Sequence, residues 1–115
     1  MSELLHEHVA RFNDAVRCGN WEPMLENFGD GAEMEFRGIP VGPFIGKEAI
    51  ATAYREQPPD DELRILEERE RAGRVEARYA WLAEPDVAGG EMFLTAGDDG
   101  LIRELVVTFD RGVAW

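Results

Sequence analysis

Apolar residues return along the first stretch of the chain at helical spacing. Leu5, Val9, Phe12 and Val16 fall four, three and four apart, which stacks them on one face of a helix. Glu3, Glu7, Arg11, Asp14 and Arg17 take the other side. Ser2 is placed to cap this helix, and Gly19 to end it in a left-handed conformation. Asn20 then caps a second, shorter helix, with Pro23 in its first turn and Met24, Leu25 and Phe28 as its apolar side. Gly29-Asp30-Gly31 stops it. Over residues 32–37 the period changes to two, so Met34 and Phe36 face one way and Glu33, Glu35 and Arg37 the other. Residues 38–46 hold three Gly and two Pro, which predicts a loop or an interrupted strand. Lys47 to Gln57 reads as a third helix with Ile50, Ala53 and Tyr54 inward, and Pro58-Pro59 ends it.

After Asp61 the pattern predicts strands. Glu62–Arg71 carries Leu63 and Ile65 on one face and turns at Ala72-Gly73. Arg74–Leu82 sets Val75, Ala77, Tyr79 and Trp81 against Glu76, Arg78, Ala80 and Leu82. Glu84–Gly90 reads as a turn, Glu91–Ala96 as the next strand, and Asp98-Asp99-Gly100 as a hairpin signal. Leu101–Asp110 closes the series, with Leu105, Val107 and Phe109 opposed to Glu104, Val106 and Thr108. Helices first and strands afterwards predict an α+β fold, in which three N-terminal helices pack on a curved antiparallel or mixed sheet.

A length of 115 residues implies a single domain over 1–115, large enough for a real core. Charge narrows the partners. Twelve Lys and Arg against twenty-four Asp and Glu give a net charge of −12, which repels phosphate backbones and anionic lipid. Neither nucleic acid nor a membrane surface is an expected partner, and no apolar run approaches the roughly 20 residues of a bilayer span. The start, Met1 to His8, lacks the basic region and apolar run of a secretory signal. A lone cysteine, Cys18, excludes an internal disulfide framework and a multi-thiolate metal site, so a cytoplasmic location is expected.

The segments Phe12–Trp21, Met24-Leu25 with Phe28, Ala32–Phe36, Gly46–Ile50, Glu91–Leu94 and Leu101–Phe109 carry a resemblance in their order and content. Together they resemble the nuclear transport factor 2-like superfamily, in its ketosteroid isomerase and SnoaL-like group, over about residues 5 to 110. The resemblance implies a cone-shaped roll: a bent sheet wraps the long first helix around an apolar pocket, commonly in a homodimer. Ketosteroid isomerases use an Asp base, with a Tyr and a protonated Asp holding the developing enolate. By the resemblance, their tyrosine falls at Phe12, their base at Phe36 and their protonated Asp at Glu91. Neither phenylalanine ionises or donates, and losing one oxyanion donor alone costs about 10²–10³ in rate. That mechanism is therefore not expected here. SnoaL-type cyclases use pocket His or Asp residues, and neither His6 nor His8 lies in a strand.

Glu91 is the acidic group the resemblance leaves at the pocket. Facing inward with Phe93 and Thr95, its carboxyl would be pushed up by desolvation and act as the acid/base. The competing reading is an exposed carboxylate at a strand end. Tyr79, between Ala77 and Trp81, or Tyr54 on the third helix, would be its hydrogen-bond partner, although a buried tyrosine ordinarily just packs. The expected pocket lining is Phe12, Val16, Phe28, Met34, Phe36, Phe44, Tyr54, Trp81, Phe93, Leu105, Val107 and Phe109. His6 and His8 stand two apart on a helix and share no face, with no third ligand nearby, so neither a metal nor a cofactor is expected. Cys18 reads as a small buried filler, and Glu67–Arg71 as a solvated strand.

Three functions remain open. The chain is an isomerase, cyclase or lyase acting on a hydrophobic ring-bearing small molecule, a non-catalytic binder of such a ligand, or a dimeric interaction module with a filled cone. A homodimer is expected through the outer sheet face, where Arg78, Leu82, Val106 and Thr108 lie and nothing else in the chain is evident to cover Leu82 and Val106.

Overall fold

The computed structural model describes residues 2–115. Helix α1 spans Glu3–Cys18, capped by the Ser2 side chain, which accepts from Leu5 N at 3.1 Å, and closed by Gly19 at φ 79°. Its buried face is Leu5, His8, Val9, Phe12 and Ala15. Helix α2 is one turn, Glu22–Leu25, and α3 is Lys47–Glu56. The strands are β1 Phe28–Arg37, β2 Phe44–Ile45, β3 Leu63–Arg71, β4 Arg74–Trp81, β5 Ala88–Ala96 and β6 Ile102–Thr108. They form a single mixed sheet in the order β2-β1-β6-β5-β4-β3, with β1 and β6 parallel and the other neighbours antiparallel. This is the expected α+β arrangement, with the helices set against one face of the sheet.

The expected second helix is shorter than its pattern. Phe28 opens β1 because its neighbour Asn27 accepts from Ile102 N at 2.7 Å, which starts the parallel β1–β6 pairing. The Gly29-Asp30-Gly31 segment becomes an irregularity in that pairing between Phe28 and Glu33. The expected loop over 38–46 contains β2, which pairs with β1 through Glu33 and Met34. Cys18 is exposed at the helix end and fills no core space.

The largest departure is the expected turn before Glu91. Gly89 and Gly90 already lie in β5, and they are there to make room. A Cβ on Gly89 would stand 2.8 Å from the Trp81 ring, and one on Gly90 would stand 1.9 Å from the Thr108 carbonyl oxygen. Gly90 pairs with Tyr79, whose hydroxyl crosses β5 over it and donates to Thr108 O at 2.7 Å. Pairing of Met92 with Val107 and of Leu94 with Leu105 turns these residues toward the core, which puts Glu91 and Phe93 on the outer face.

The outer face is partly covered by the chain's own end. Gly112 N donates to Ala88 O, Arg78 to Val113 O, and Trp115 Nε1 to Glu91 at 2.9 Å, while the Arg69 guanidinium lies 4.1 Å over the Trp115 ring. Glu76, also on this face, is buried between Arg69 and Arg74, whose hydrogen bonds hold its carboxyl below the usual range. Val106 is buried within the single chain, so only Leu82 of the two apolar residues expected to need a partner is exposed. No helix among the described residues is long and apolar enough to cross a membrane.

The close approach at Gly90 predicts that Gly90→Ala costs more than about 3 kcal/mol, because the clash is with backbone. Gly31→Ala, which meets nothing within 4 Å, is the control and should stay within about 1 kcal/mol. Urea midpoints of the two variants check this; equal midpoints would show that the β5–β6 approach is not a constraint.

Candidate functional site

Between the helices and the inner sheet face lies an open cavity of about 720 Å³. The alternation of β1, β4 and β6 supplies its floor with Met34, Phe36, Tyr79, Trp81, Leu105 and Val107, and Met92 joins them from β5. Phe44 of β2 and Phe109, just past β6, extend that floor. The facing wall is His8 and Phe12 from α1 and Ala53 and Tyr54 from α3. Exposed lining residues mark the mouth: Ile39 and Pro40 on one side, Glu56, Gln57 and Asp60 on the other.

Five floor rings form a continuous belt. Phe44 meets Phe36 edge-on at 6.1 Å, and Phe36 lies 6.0 Å from Phe109. Phe109 stacks on Trp81 at 6.4 Å, and Trp81 meets Tyr79 edge-on at 5.5 Å. A second cluster of Phe12, Trp21 and Tyr54 backs the opposite wall, with Trp21 stacked on Tyr54 at 4.9 Å. Aromatic faces on both sides suit a flat apolar ring system.

Ten of the expected residues line this cavity: Phe12, Met34, Phe36, Phe44, Tyr54, Tyr79, Trp81, Leu105, Val107 and Phe109. Four do not. Phe28 is wholly buried behind His8, its ring edge-on at 5.5 Å, and Val16 packs against the core beyond the cavity. Phe93 lies on the outer face under the Arg74 guanidinium, 4.7 Å from its centroid. Glu91 is the consequential correction. It pairs across the sheet with Arg78 and accepts from Trp115, on the face turned away from the cavity, so it does not line the pocket that its expected acid/base role requires.

The polar groups that do reach the cavity differ in how they are held. Tyr79 is committed to Thr108 O. Tyr54 donates only to the Met34 sulfur, at 3.6 Å. Burial pushes both phenols above their ordinary value. His8, absent from the expected lining, is buried with Nδ1 lacking any hydrogen-bond partner. Desolvation holds its pKa down from 6.5 to about 4, so the imidazole is neutral at pH 7. The signal for His8 was in the stripe itself, since position 8 lies three after Leu5 and four before Phe12. Among the described residues, no cluster of three or more His, Cys, Asp or Glu is arranged to hold a metal ion.

The fold recurs among solved structures. The chain superposes on a SnoaL-like protein from Burkholderia thailandensis with TM-score 0.71 at 18% identity, covering 96% of this chain and 97% of that one. It superposes on a Mycobacterium tuberculosis protein in complex with estradiol-17β-hemisuccinate with TM-score 0.68 at 16% identity, over 87% and 88%. A computationally designed 17-OHP binder matches with TM-score 0.68 at 16% identity, over 90% and 88%. No protein-family model matches the sequence, and no curated protein sequence matches it.

Burying His8 neutral ties stability to pH. Its folded pKa lies below the unfolded one, so between about 4 and 6.5 the unfolded chain binds more protons and stability falls as pH drops through that window. From pH 7 to pH 5 the loss from this group is on the order of 2 kcal/mol, and it is absent in His8→Leu. Hydrogen bonds lower the Glu68 and Glu76 carboxyls. The stability these contribute is retained above the ordinary carboxylate range and lost only as the pH falls through it, below the pH 5 measurement. Urea unfolding of both proteins at the two pH values checks the difference; parallel losses would show that His8 is not buried neutral.

Proposed function

We propose that this chain binds a hydrophobic, ring-bearing small molecule in the cone cavity. The observation that carries the reading is an open space of about 720 Å³ flanked by a five-ring belt and a facing aromatic cluster. Pockets of roughly 300–1,000 Å³ with apolar walls and few polar groups are the usual form of small-molecule sites. A filled cone would have left no such space. The structural neighbours include one in complex with an estradiol derivative and one designed to bind 17-OHP, which supports a polycyclic ligand for the same cone.

Binding is favoured over acid/base catalysis by the cavity wall. Phe12 and Phe36 offer no proton chemistry, Glu91 is on the other face, and a His8 held near pKa 4 is a weak base. Titrating estradiol into the protein should raise its melting temperature and quench Trp81 emission. Ala53→Trp, which projects an indole from α3 into the cavity, should weaken that binding at least about tenfold while the fold is retained by circular dichroism. A wild-type protein indifferent to ring-bearing probes would remove the proposal.

The proposal includes a homodimer, restricted to the part of the outer face that the C-terminal segment leaves open around Leu82, which is 44% exposed. A monomeric mass by light scattering at micromolar concentration would remove that part alone.

A further inference from the structure

The cavity sorts ligands by charge as well as by shape. Three buried polar side chains interrupt its apolar wall, and apart from Tyr79, which donates to Thr108 O, their polar atoms are left underused by the protein. The Tyr54 hydroxyl has only the Met34 thioether as partner, a weak acceptor at 3.6 Å, and His8 Nδ1 has none. Both adjoin Phe12: His8 stands one helical turn before it on α1, and the Tyr54 ring lies 6.4 Å from the Phe12 ring. At the mouth the lining carries three carboxylates, Glu56, Asp60 and Asp61, and the lining as a whole includes no Lys or Arg.

We propose that Tyr54 and His8 form the polar anchor for an uncharged hydroxyl on a ring-bearing ligand, and that the acidic rim excludes anionic ligands. This rests on the cavity-binding reading above and names the class of molecule it takes. A hydroxyl both donates and accepts, so it completes a donor such as Tyr54 O–H and suits either tautomer of a neutral imidazole. Exchanging an O–H···S contact for O–H···O is favourable once the ligand's rings have displaced water from around the pair. Nδ1 is buried without a hydrogen bond, so a turn of the imidazole that presents it to a ligand would break none. An anion, in contrast, meets the rim carboxylates first and then a wall with no cation to offset its desolvation. Asp61 is committed to capping Glu62 N and Ala83 N, which leaves Glu56 and Asp60 as the exposed charges of the rim.

Three probes of one shape separate these effects: naphthalene, 2-naphthol and 2-naphthoate, titrated into the full chain at pH 7 with detection by NMR. In the wild type, naphthol should bind about tenfold tighter than naphthalene, and naphthoate more weakly than both. Tyr54→Phe should bring naphthol down to the naphthalene level, His8→Leu should narrow the gap, and Glu56→Gln with Asp60→Asn should recover naphthoate. Should Tyr54→Phe fail to fold, 2-methoxynaphthalene on the wild type tests the same contact from the ligand side. Its ether oxygen still accepts from the Tyr54 O–H, so it should bind tighter than naphthalene, and binding no tighter overturns the Tyr54 half of the anchor. Equal affinity for naphthol and naphthalene, or a preference that survives both anchor variants, overturns the anchor while leaving the cavity reading in place. Naphthoate binding as well as naphthalene overturns the rim. If no probe binds, the cavity reading itself falls and takes this one with it.

Discussion

The crossing of Tyr79 over Gly90 to the Thr108 carbonyl is the contact on which the rest of the site depends. It links three strands with one side chain: β4 provides the phenol, β5 provides the gap, and β6 provides the acceptor. A methyl group at position 90 would occupy the place of the Thr108 carbonyl, so the β5–β6 spacing there requires glycine. The same pair of glycines leaves room for Trp81, which in turn stacks on Phe109. The aromatic floor is therefore set by two missing side chains. Because Tyr79 spends its one proton in this bracing, its hydroxyl has no donor left for the cavity, and the polar anchor proposed above lies on the facing helices.

That division of labour explains the otherwise costly state of His8. An imidazole buried neutral, with one nitrogen unpartnered, works against folding at every pH below its ordinary value. Leucine at this position would continue the α1 stripe without that cost. Structures hold such groups where their environment over-determines them, and these places cluster at binding sites. Phe28 behind the ring and the cavity before it are that environment here.

Most of the architecture is legible in the spacing of apolar residues. The α1 stripe with its Ser2 and Gly19 caps, the α3 face and the alternation of β1, β4 and β6 all follow from local periodicity, which is what side-chain geometry imposes. What the pattern hides is non-local. Gly89-Gly90 has the composition of a turn, and only contact with Tyr79, Trp81 and Thr108 makes it strand. The register of β5 against β6 then sets its alternation, Met92 and Leu94 inward, and leaves Glu91 and Phe93 on the face opposite to the one expected. Glu91 also meets an element that no local signal assigns to it, since the C-terminal segment returns across the sheet through Arg78, Ala88 and Trp115.

The position of the polar groups then separates recognition from chemistry. In the enzymes this sequence resembles, a base on the first strand and donors on the first helix and a later strand face one reacting centre. The positions that the resemblance assigns to the first strand and first helix, Phe36 and Phe12, line the cavity as rings here, and the one it assigns to the later strand, Glu91, bonds Trp115 outside it. The hydroxyl that remains within the cavity wall comes from α3 and the imidazole from one turn earlier on α1, so both lie on the helical wall facing the aromatic floor. A proton-transfer site needs a group whose pKa sits near the working pH, whereas this pair is pushed away from it in opposite directions, the phenol upward and the imidazole downward. Both are thereby fixed as neutral hydrogen-bonding groups. A neutral pair on one wall and an aromatic belt on the other are the geometry on which the binding proposal rests.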